Sequence, residues 1–332
     1  MRPVSVGIHS IGEMGYGIAI LLKAHGYRVL TVGSGRSERT LSRIRSASIE
    51  SLSSDQELVI QSDYLLSIVP PRDALATARR IAEVCKLPDT EAKRQGIEDI
   101  DGLPTRRKLY YLDLNATPAR LSAEVGSVFV DGSPTSESPS ALCHFLDGGI
   151  IGPPPSHNVQ DGSWKKPSLV VSGSVDLPST FPRLSEILNM KLVSSQIGAA
   201  STLKLSVAAL TKGLTALSIF SFSTAQKESL LPELLEHLKE YAPHISAWAT
   251  KSVPEAGPKA YRFVEEMQGI GEMFDSEGNW DGLGAGVYGS IAEVYRTIAE
   301  QTELGKADKS QGQTVEEIAE TIVRRKKAVK EE

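Results

Sequence analysis

Residues 4–19 read VSVGIHSIGEMGYGIA, and how this stretch is read decides the fold. The apolar run Val4–Ile8 leads into Gly12 and Gly15. Apolar residues at helical spacing then follow (Ile18, Leu21, Leu22) and stop at Gly26. A strand, a glycine turn and a helix open a dinucleotide-binding unit, where the turn brings backbone amides and the positive end of a helix to a pyrophosphate. The pattern G-x-G-x-x-G begins here with Ser10, so the turn is S-x-G-x-x-G; serine fits if its φ stays negative. On this reading Ser10, Ile11, Gly12, Glu13 and Met14 contact the cofactor, with Gly12 at the close approach. The same residues also read as a strand-turn-helix without a ligand. His9, inside the turn, is expected to orient rather than to catalyse.

Outward from this stretch, the first half alternates strands and helices. Strands are expected at Arg28–Val32, Tyr64–Val69, Leu109–Leu112, Cys143–Leu146 and Ser168–Ser172, with Leu192-Val193 closing the domain. Helices are expected at 37–46 and 74–85. Strands apolar on both faces between helices imply a mostly parallel, doubly wound sheet covered on both sides. Residues 86–108 and 131–140 read as surface insertions and 147–155 as a turn. From Gly198 the pattern becomes helical throughout, with a long small-residue-rich segment over 198–228 that is expected to be buried. Further helices are expected at 231–241, 259–274 and 288–303, and an exposed charged one at 315–330. The fold class is therefore an α/β Rossmann domain, residues 1–195, joined by a long helix to an all-α domain, residues 196–332.

The second strand ends in Val32-Gly33-Ser34-Gly35-Arg36-Ser37-Glu38-Arg39. No acid stands at the strand end to take ribose hydroxyls, while Ser34, Arg36, Ser37 and Arg39 suit a 2′-phosphate. A solvated polar turn is the alternative. Joined to the upstream turn, the segment favours NADP(H).

The composition excludes other classes. A formal charge of −5 over 332 residues disfavours a nucleic-acid partner, which needs a basic face. Two distant cysteines, Cys85 and Cys143, fit a reducing compartment. No basic segment followed by an apolar core opens the chain, so a cytoplasmic location is expected. The 198–228 segment, broken by Lys204 and Lys212, is not read as a membrane span. Six scattered histidines show no metal-ligand spacing.

Gly7, Gly12, Met14 and Gly15 resemble the opening signature of the β-hydroxyacid dehydrogenases, which include 3-hydroxyisobutyrate and 6-phosphogluconate dehydrogenases and, more distantly, imine reductases. Ser67-Ile68-Val69-Pro70-Pro71 is similar to their second cofactor-facing loop, and Asp113-Leu114-Asn115-Ala116-Thr117 to their segment beside the nicotinamide ribose. Phe145–Pro154 (FLDGGIIGPP) resembles the substrate-side turn, nearest to a branch with a C-terminal domain of unknown function and to imine reductases. The resemblance implies cofactor contacts at Val69, Pro70, Pro71, Asn115 and Thr117, and substrate contacts at Gly148, Gly149, Ile150 and Ile151.

In the same family a lysine follows a glycine-rich helix start. Gly198-Ala199-Ala200-Ser201-Thr202-Leu203-Lys204 places Lys204 there, with Ala208 where relatives carry asparagine. Among Ala, Leu and Val, Lys204 is expected to be desolvated and to move a proton near neutral pH. A lysine whose amine reaches solvent or a structural carboxylate is the other reading. Lys212, two turns on, is a candidate substrate-anion contact. Glu266 is the counterpart of a substrate-side Asp, with Arg262 one turn before it as a substrate contact or its salt-bridge partner.

The resemblance thus implies an NADP-dependent dehydrogenase or reductase acting on a carbonyl or alcohol carbon, with Lys204, Lys212 and Glu266 in the catalytic set. It also implies a homodimer sharing each active site across the long helix. The alternatives are imine-type C=N reduction and a non-catalytic NADP-binding redox sensor.

Overall fold

The computed structural model describes residues 3–95, 108–129, 143–306 and 313–325. They form two compact units, one ending at Lys204 and the next beginning at Leu205.

The first unit is built on one eight-stranded sheet. Its elements are β1 (Ser5–His9), α1 (Glu13–Ala24), β2 (Arg28–Val32), α2 (Glu38–Ser46), β3 (Glu50–Leu52), α3 (Asp55–Gln61), β4 (Tyr64–Ser67), α4 (Ala74–Cys85) and α5 (Pro88–Gln95). After them come β5 (Leu109–Asp113), α6 (Ala119–Ser127), β6 (Cys143–Ile151), a two-strand hairpin of β7 (Ser156–His157) and β8 (Trp164–Lys165), β9 (Ser168–Ser172), α7 (Phe181–Leu188) and β10 (Met190–Ser194). The first turns of α8 (Ala199–Lys227) complete the unit.

The sheet order is β10-β9-β6-β5-β4-β1-β2-β3. All neighbours run parallel except β6 and β9. From β3 to β6 this is the doubly wound order 3-2-1-4-5-6, whose direction of winding reverses between β1 and β4. The alternation along each strand explains the two cores. Tyr64, Leu66, Tyr110 and Leu112 pack on one face with Ile18 and Leu22 of α1 and Leu184 of α7. Leu65, Leu109 and Tyr111 pack on the other with Leu58 of α3, Ile81 of α4 and Val125 of α6.

Three expectations about this half are corrected. Residues 147–151 are not a turn but the second half of β6, paired to β9 from Asp147↔Ser172 to Ile151↔Ser168. Gly148 and Gly149 occur there because neighbours crowd the strand, not because the chain reverses. Part of the 86–108 insertion is α5, which buries Thr90 and Arg94. Third, β3, α3, α6 and α7 lie outside the expected elements. Residues 96–107 of that insertion and residues 131–140 lie outside the described residues.

The second unit contains the rest of α8 with α9 (Leu231–Tyr241), α10 (Pro243–Ala256), α11 (Ala260–Ser276), α12 (Leu283–Gln301) and α13 (Val315–Val323). Its core gathers Ala208, Ala209, Ala216 and Phe222 of α8 around Met267, Ile291 and Tyr295. The α11 and α12 backbones nearly touch: a Cβ on Gly271 would come 2.9 Å from the Gly284 carbonyl oxygen. α13 is not the exposed helix expected, since Val315, Ile318, Ala319 and Ile322 form a buried stripe. α8 is also less buried than expected. Its alanines turn inward, while Leu210, Leu217 and Phe220 stay 75%, 56% and 53% exposed. By length and apolarity α8 could cross a bilayer, yet half of its most apolar window is buried inside the protein.

Candidate active site

The glycine turn sits at the winding reversal of the sheet, where open α/β sheets bind ligands. Ser10 adopts φ 72°, so the serine is in the left-handed region and the expectation of a negative φ is corrected. That backbone costs a non-glycine residue roughly 1–2 kcal/mol. Gly15 is required for packing, because a Cβ there would overlap the Ser10 carbonyl oxygen. Gly12, the N-cap of α1, is open: among the described residues an added Cβ would meet only Ser10 Oγ, at 3.9 Å, and no side chain caps the helix. Unclaimed first-turn amides beside an uncovered Cα fit a dinucleotide pyrophosphate. Ile11 is buried in the core and Met14 half-buried against it, so the side chains of both are turned to the protein interior.

At the β2 edge, Ser34, Arg36, Ser37 and Arg39 are exposed. Ser37 is committed to capping α2 by accepting from the Thr40 amide. The structure adds Arg43, which sequence reading missed. On α2 it lies one turn after Arg39; its guanidinium donates to the Ile11 carbonyl at 3.4 Å and stands 3.9 Å from Glu13. Arg39 lies 3.8 Å from the same carboxylate. Its i+4 spacing from Arg39 was the available signal.

Across the reversal, Asn115 ties two strand ends together. Its Oδ1 accepts from the Val69 amide at 2.7 Å, and its Nδ2 donates to Ser67 Oγ and to Asp113. Thr117 is buried and hydrogen-bonded to Ser122 at 2.9 Å. Both side chains, expected to face the nicotinamide ribose, are engaged within the domain. Pro70 and Pro71 are exposed and lead into a single 3-10 turn, Pro71–Asp73.

Gly148 and Gly149 are buried in β6, and Ile150 and Ile151 are half-buried. Gly149 bridges Asn115 and lies under the Lys204 stem. A Cβ built on it would come 2.8 Å from Lys204 Cβ and 3.2 Å from Ala116 Cβ. Lys204 itself is half-buried rather than enclosed.

Two buried groups dominate the electrostatics. His9 is 1% exposed, its Nε2 has no hydrogen-bond partner among the described residues, and Asp55 Oδ1 lies 3.9 Å away. Burial lowers its pKa to about 4, opposed by the Asp55 carboxylate. Asp113, opposite Asp147 in the β5–β6 register, is pushed up to about 7, chiefly by burial and further by the Asp147 charge, against the Asn115 hydrogen bonds.

In the second unit Lys212 and Glu266 form an ion pair with each other. The ammonium also sits 4.7 Å from the Phe263 ring centroid, and the buried Tyr295 hydroxyl donates to the Lys212 carbonyl at 2.7 Å. Glu266 therefore reaches across to α8 for its cation, while Arg262 is exposed beside Tyr261. Distance along the chain, 54 residues, hid that pair from a helix-spacing argument.

Residues 225–298 match a family model described as a domain of unknown function, DUF1932. No curated protein matches the chain. Solved structures are similar over nearly its whole length. A conserved protein of unknown function, described as structurally similar to 3-hydroxyacid dehydrogenases, shares 20% identity at a TM-score of 0.59, over 89% of this chain and 96% of that one. A Mycobacterium tuberculosis 3-hydroxyisobutyrate dehydrogenase with L-serine shares 16% at 0.60, over 97% and 99%. A Myxococcus stipitatus imine reductase in complex with NADP+ shares 16% at 0.50, over 93% and 98%. The chain thus has the Rossmann-plus-helical fold of these dehydrogenase and reductase structures, with a DUF1932 segment in its helical unit.

Proposed function

We propose that the protein is an NADP-dependent oxidoreductase that moves a hydride between nicotinamide and a carbonyl or alcohol carbon of a small metabolite. The observation that carries this is the α1 N-terminus, uncapped and uncovered at Gly12, at the winding reversal of a sheet whose neighbours include an NADP+-bound enzyme. When bound, the cofactor supplies the hydride acceptor or donor. The backbone from Ser10 to Met14 holds its pyrophosphate, and Arg36, Arg39 and Arg43 pair with its 2′-phosphate.

Lys204 takes the hydroxyl proton in oxidation and returns it to the carbonyl oxygen in reduction. Its stem lies along Gly149, beside the Asn115 tie, and Gly148 to Ile151 offer a largely apolar wall to the substrate. The Lys212–Glu266 pair is assigned to substrate binding or proton supply.

We further infer a homodimer located in the cytoplasm, each active site being completed by the other chain. The support is the row Leu210, Leu217 and Phe220 on α8, large apolar side chains left more than half exposed, which a second copy would cover.

The test is NADPH and NADH binding by fluorescence, followed by turnover against panels of carbonyl compounds and of imines. NADPH-dependent carbonyl reduction lost in Lys204→Ala is expected. Imine turnover alone would favour C=N reduction, the reading that the imine reductase likeness supports. Tight NADPH binding without turnover of either panel would favour a sensor.

A further inference from the structure

The carboxylate of Asp147 is buried at the middle of β6 and takes the start of α8. Its Oδ2 accepts from the Gly198 and Ser201 amides, each at 3.1 Å, and from Ser172 Oγ at 3.0 Å. Its Oδ1 accepts from Ser201 Oγ at 2.5 Å. Ser172 Oγ in turn accepts from the Ala200 amide at 3.0 Å. Every partner donates, the arrangement an acceptor-only carboxylate satisfies. First-turn amides that have no partner within the helix are thereby satisfied from the sheet. Ser201 Oγ also receives Ser122 Oγ at 3.3 Å, and Ser122 holds Thr117, so the clasp reaches α6.

The clasp and the lysine share one strand and one helical turn. Ser201 precedes Lys204 by three residues, one turn of helix. Gly149 follows Asp147 by two residues, so its Cα faces the same side of the sheet as Asp147. That Cα is the surface on which the Lys204 stem rests, with no room for a Cβ between them. Helix rotation or translation at Ser201 therefore moves Lys204 across Gly149 directly.

From this we propose that Asp147 is the positioning residue for Lys204, setting through Ser201 and the Gly198 amide the place at which the lysine stem crosses β6. This rests on the reading of Lys204 as the proton carrier. Asp147 touches neither substrate nor cofactor in this role; it acts through the helix start.

The experiment reads Lys204 without needing a substrate. Lysines of the full chain are reductively methylated with 13C-formaldehyde, and the Lys204 signal is assigned by its loss in Lys204→Arg. In Asp147→Asn, and separately in Ser201→Ala, the Lys204 signal is expected to shift and its methylation rate to change at least threefold. The other lysine signals and the NADPH affinity stay within twofold of the parent. An unchanged Lys204 signal and rate in folded variants would overturn the proposal. A uniform change across all lysines with lowered melting temperature would overturn it equally, marking Asp147 as merely structural. Should Asp147→Asn fail to fold, Ser201→Ala and Ser172→Ala, each removing a single hydroxyl from the clasp, decide. Turnover by Lys204→Ala at the parent rate would remove the proton-carrier reading and leave the Lys204 signals to report on the geometry alone.

Discussion

Gly149 and Lys204 lie in direct contact, the glycine Cα serving as the floor for the lysine stem: a methyl group on residue 149 would sit 2.8 Å from Lys204 Cβ and 3.0 Å from its Cγ. Carbon atoms at that separation repel, and the backbone of β6 is held by pairing to β9. The lysine must therefore give way.

Gly149→Ala is expected to lower turnover by roughly ten- to a hundredfold, the cost of misplacing a reacting group by about 1 Å. NADPH affinity should stay within about twofold, because residue 149 lies away from the glycine turn. Steady-state kinetics beside fluorescence titration would check this; unchanged turnover would place the Lys204 amine outside the chemistry.

Ser10 holds a left-handed backbone conformation at φ 72°. Ser10→Gly is expected to raise stability by roughly 0.5–1 kcal/mol, the relief of a side chain at positive φ less the larger entropy of glycine in the unfolded chain. Gly15→Ala, which drives a methyl into the Ser10 carbonyl oxygen, is expected to be strongly destabilising. Denaturant midpoints with unchanged slopes would check both, and a lowered midpoint in Ser10→Gly would contradict the strain.

His9 and Asp113 oppose each other in pH dependence. Below pH 6.5 the unfolded chain protonates at His9 while the native imidazole stays neutral down to about 4, so this residue makes stability fall as the pH drops through that window. Asp113 keeps its proton in the native state up to about 7, against a usual 3.8, so it makes stability fall as the pH rises from about 4 to 7. Each effect amounts to a few kcal/mol at about 1.4 kcal/mol per unit, and in the parent they largely cancel. Asp113→Asn is expected to lose stability on acidification from pH 6.5 to 4.5, and His9→Leu to lose it in the opposite direction. Urea unfolding across this range would show it; profiles parallel to the parent in both variants would refute it.

Arg39 and Arg43 stand 3.8 Å and 3.9 Å from the carboxylate of Glu13, the first residue of α1, and Arg36 is exposed just after β2. Arg36→Ala combined with Arg43→Ala is expected to weaken NADPH binding about ten- to a hundredfold, as for lost charge-assisted hydrogen bonds. NADH binding should change less than about threefold. Equal losses for both nucleotides would remove the 2′-phosphate assignment.

Leu210 and Leu217 are exposed on α8. Leu210→Asp with Leu217→Asp is expected to convert a dimer to a folded monomer, read by sedimentation velocity with circular dichroism as the control for folding. A parent that sediments as a monomer would refute the assembly.

The sequence by itself determined the kind of element at most positions in the sheet. Runs such as Tyr64-Leu65-Leu66 and Leu109–Leu112 are apolar on both faces, and only a strand buried between helix layers accommodates that pattern. Local chemistry also sufficed for the glycine turn and for α9, whose limits fall where the residues place them. Tertiary structure alone decided which side chains meet. Asp147 looked like part of a turn because glycines follow it, yet pairing with β9 makes it strand and brings it to Ser201, 54 residues on. Lys212 and Glu266 are likewise distant in sequence, and Asn115 turns inward because the Val69 amide and Asp113 need partners. Periodicity reports which face of an element is apolar; it carries no information on what lies opposite that face. The opening stretch VSVGIHSIGEMGYGIA shows both limits at once: its residues specified a strand, a turn and a helix, while the left-handed backbone of Ser10, whose carbonyl leaves no room for a Cβ on Gly15, emerged only in the folded chain.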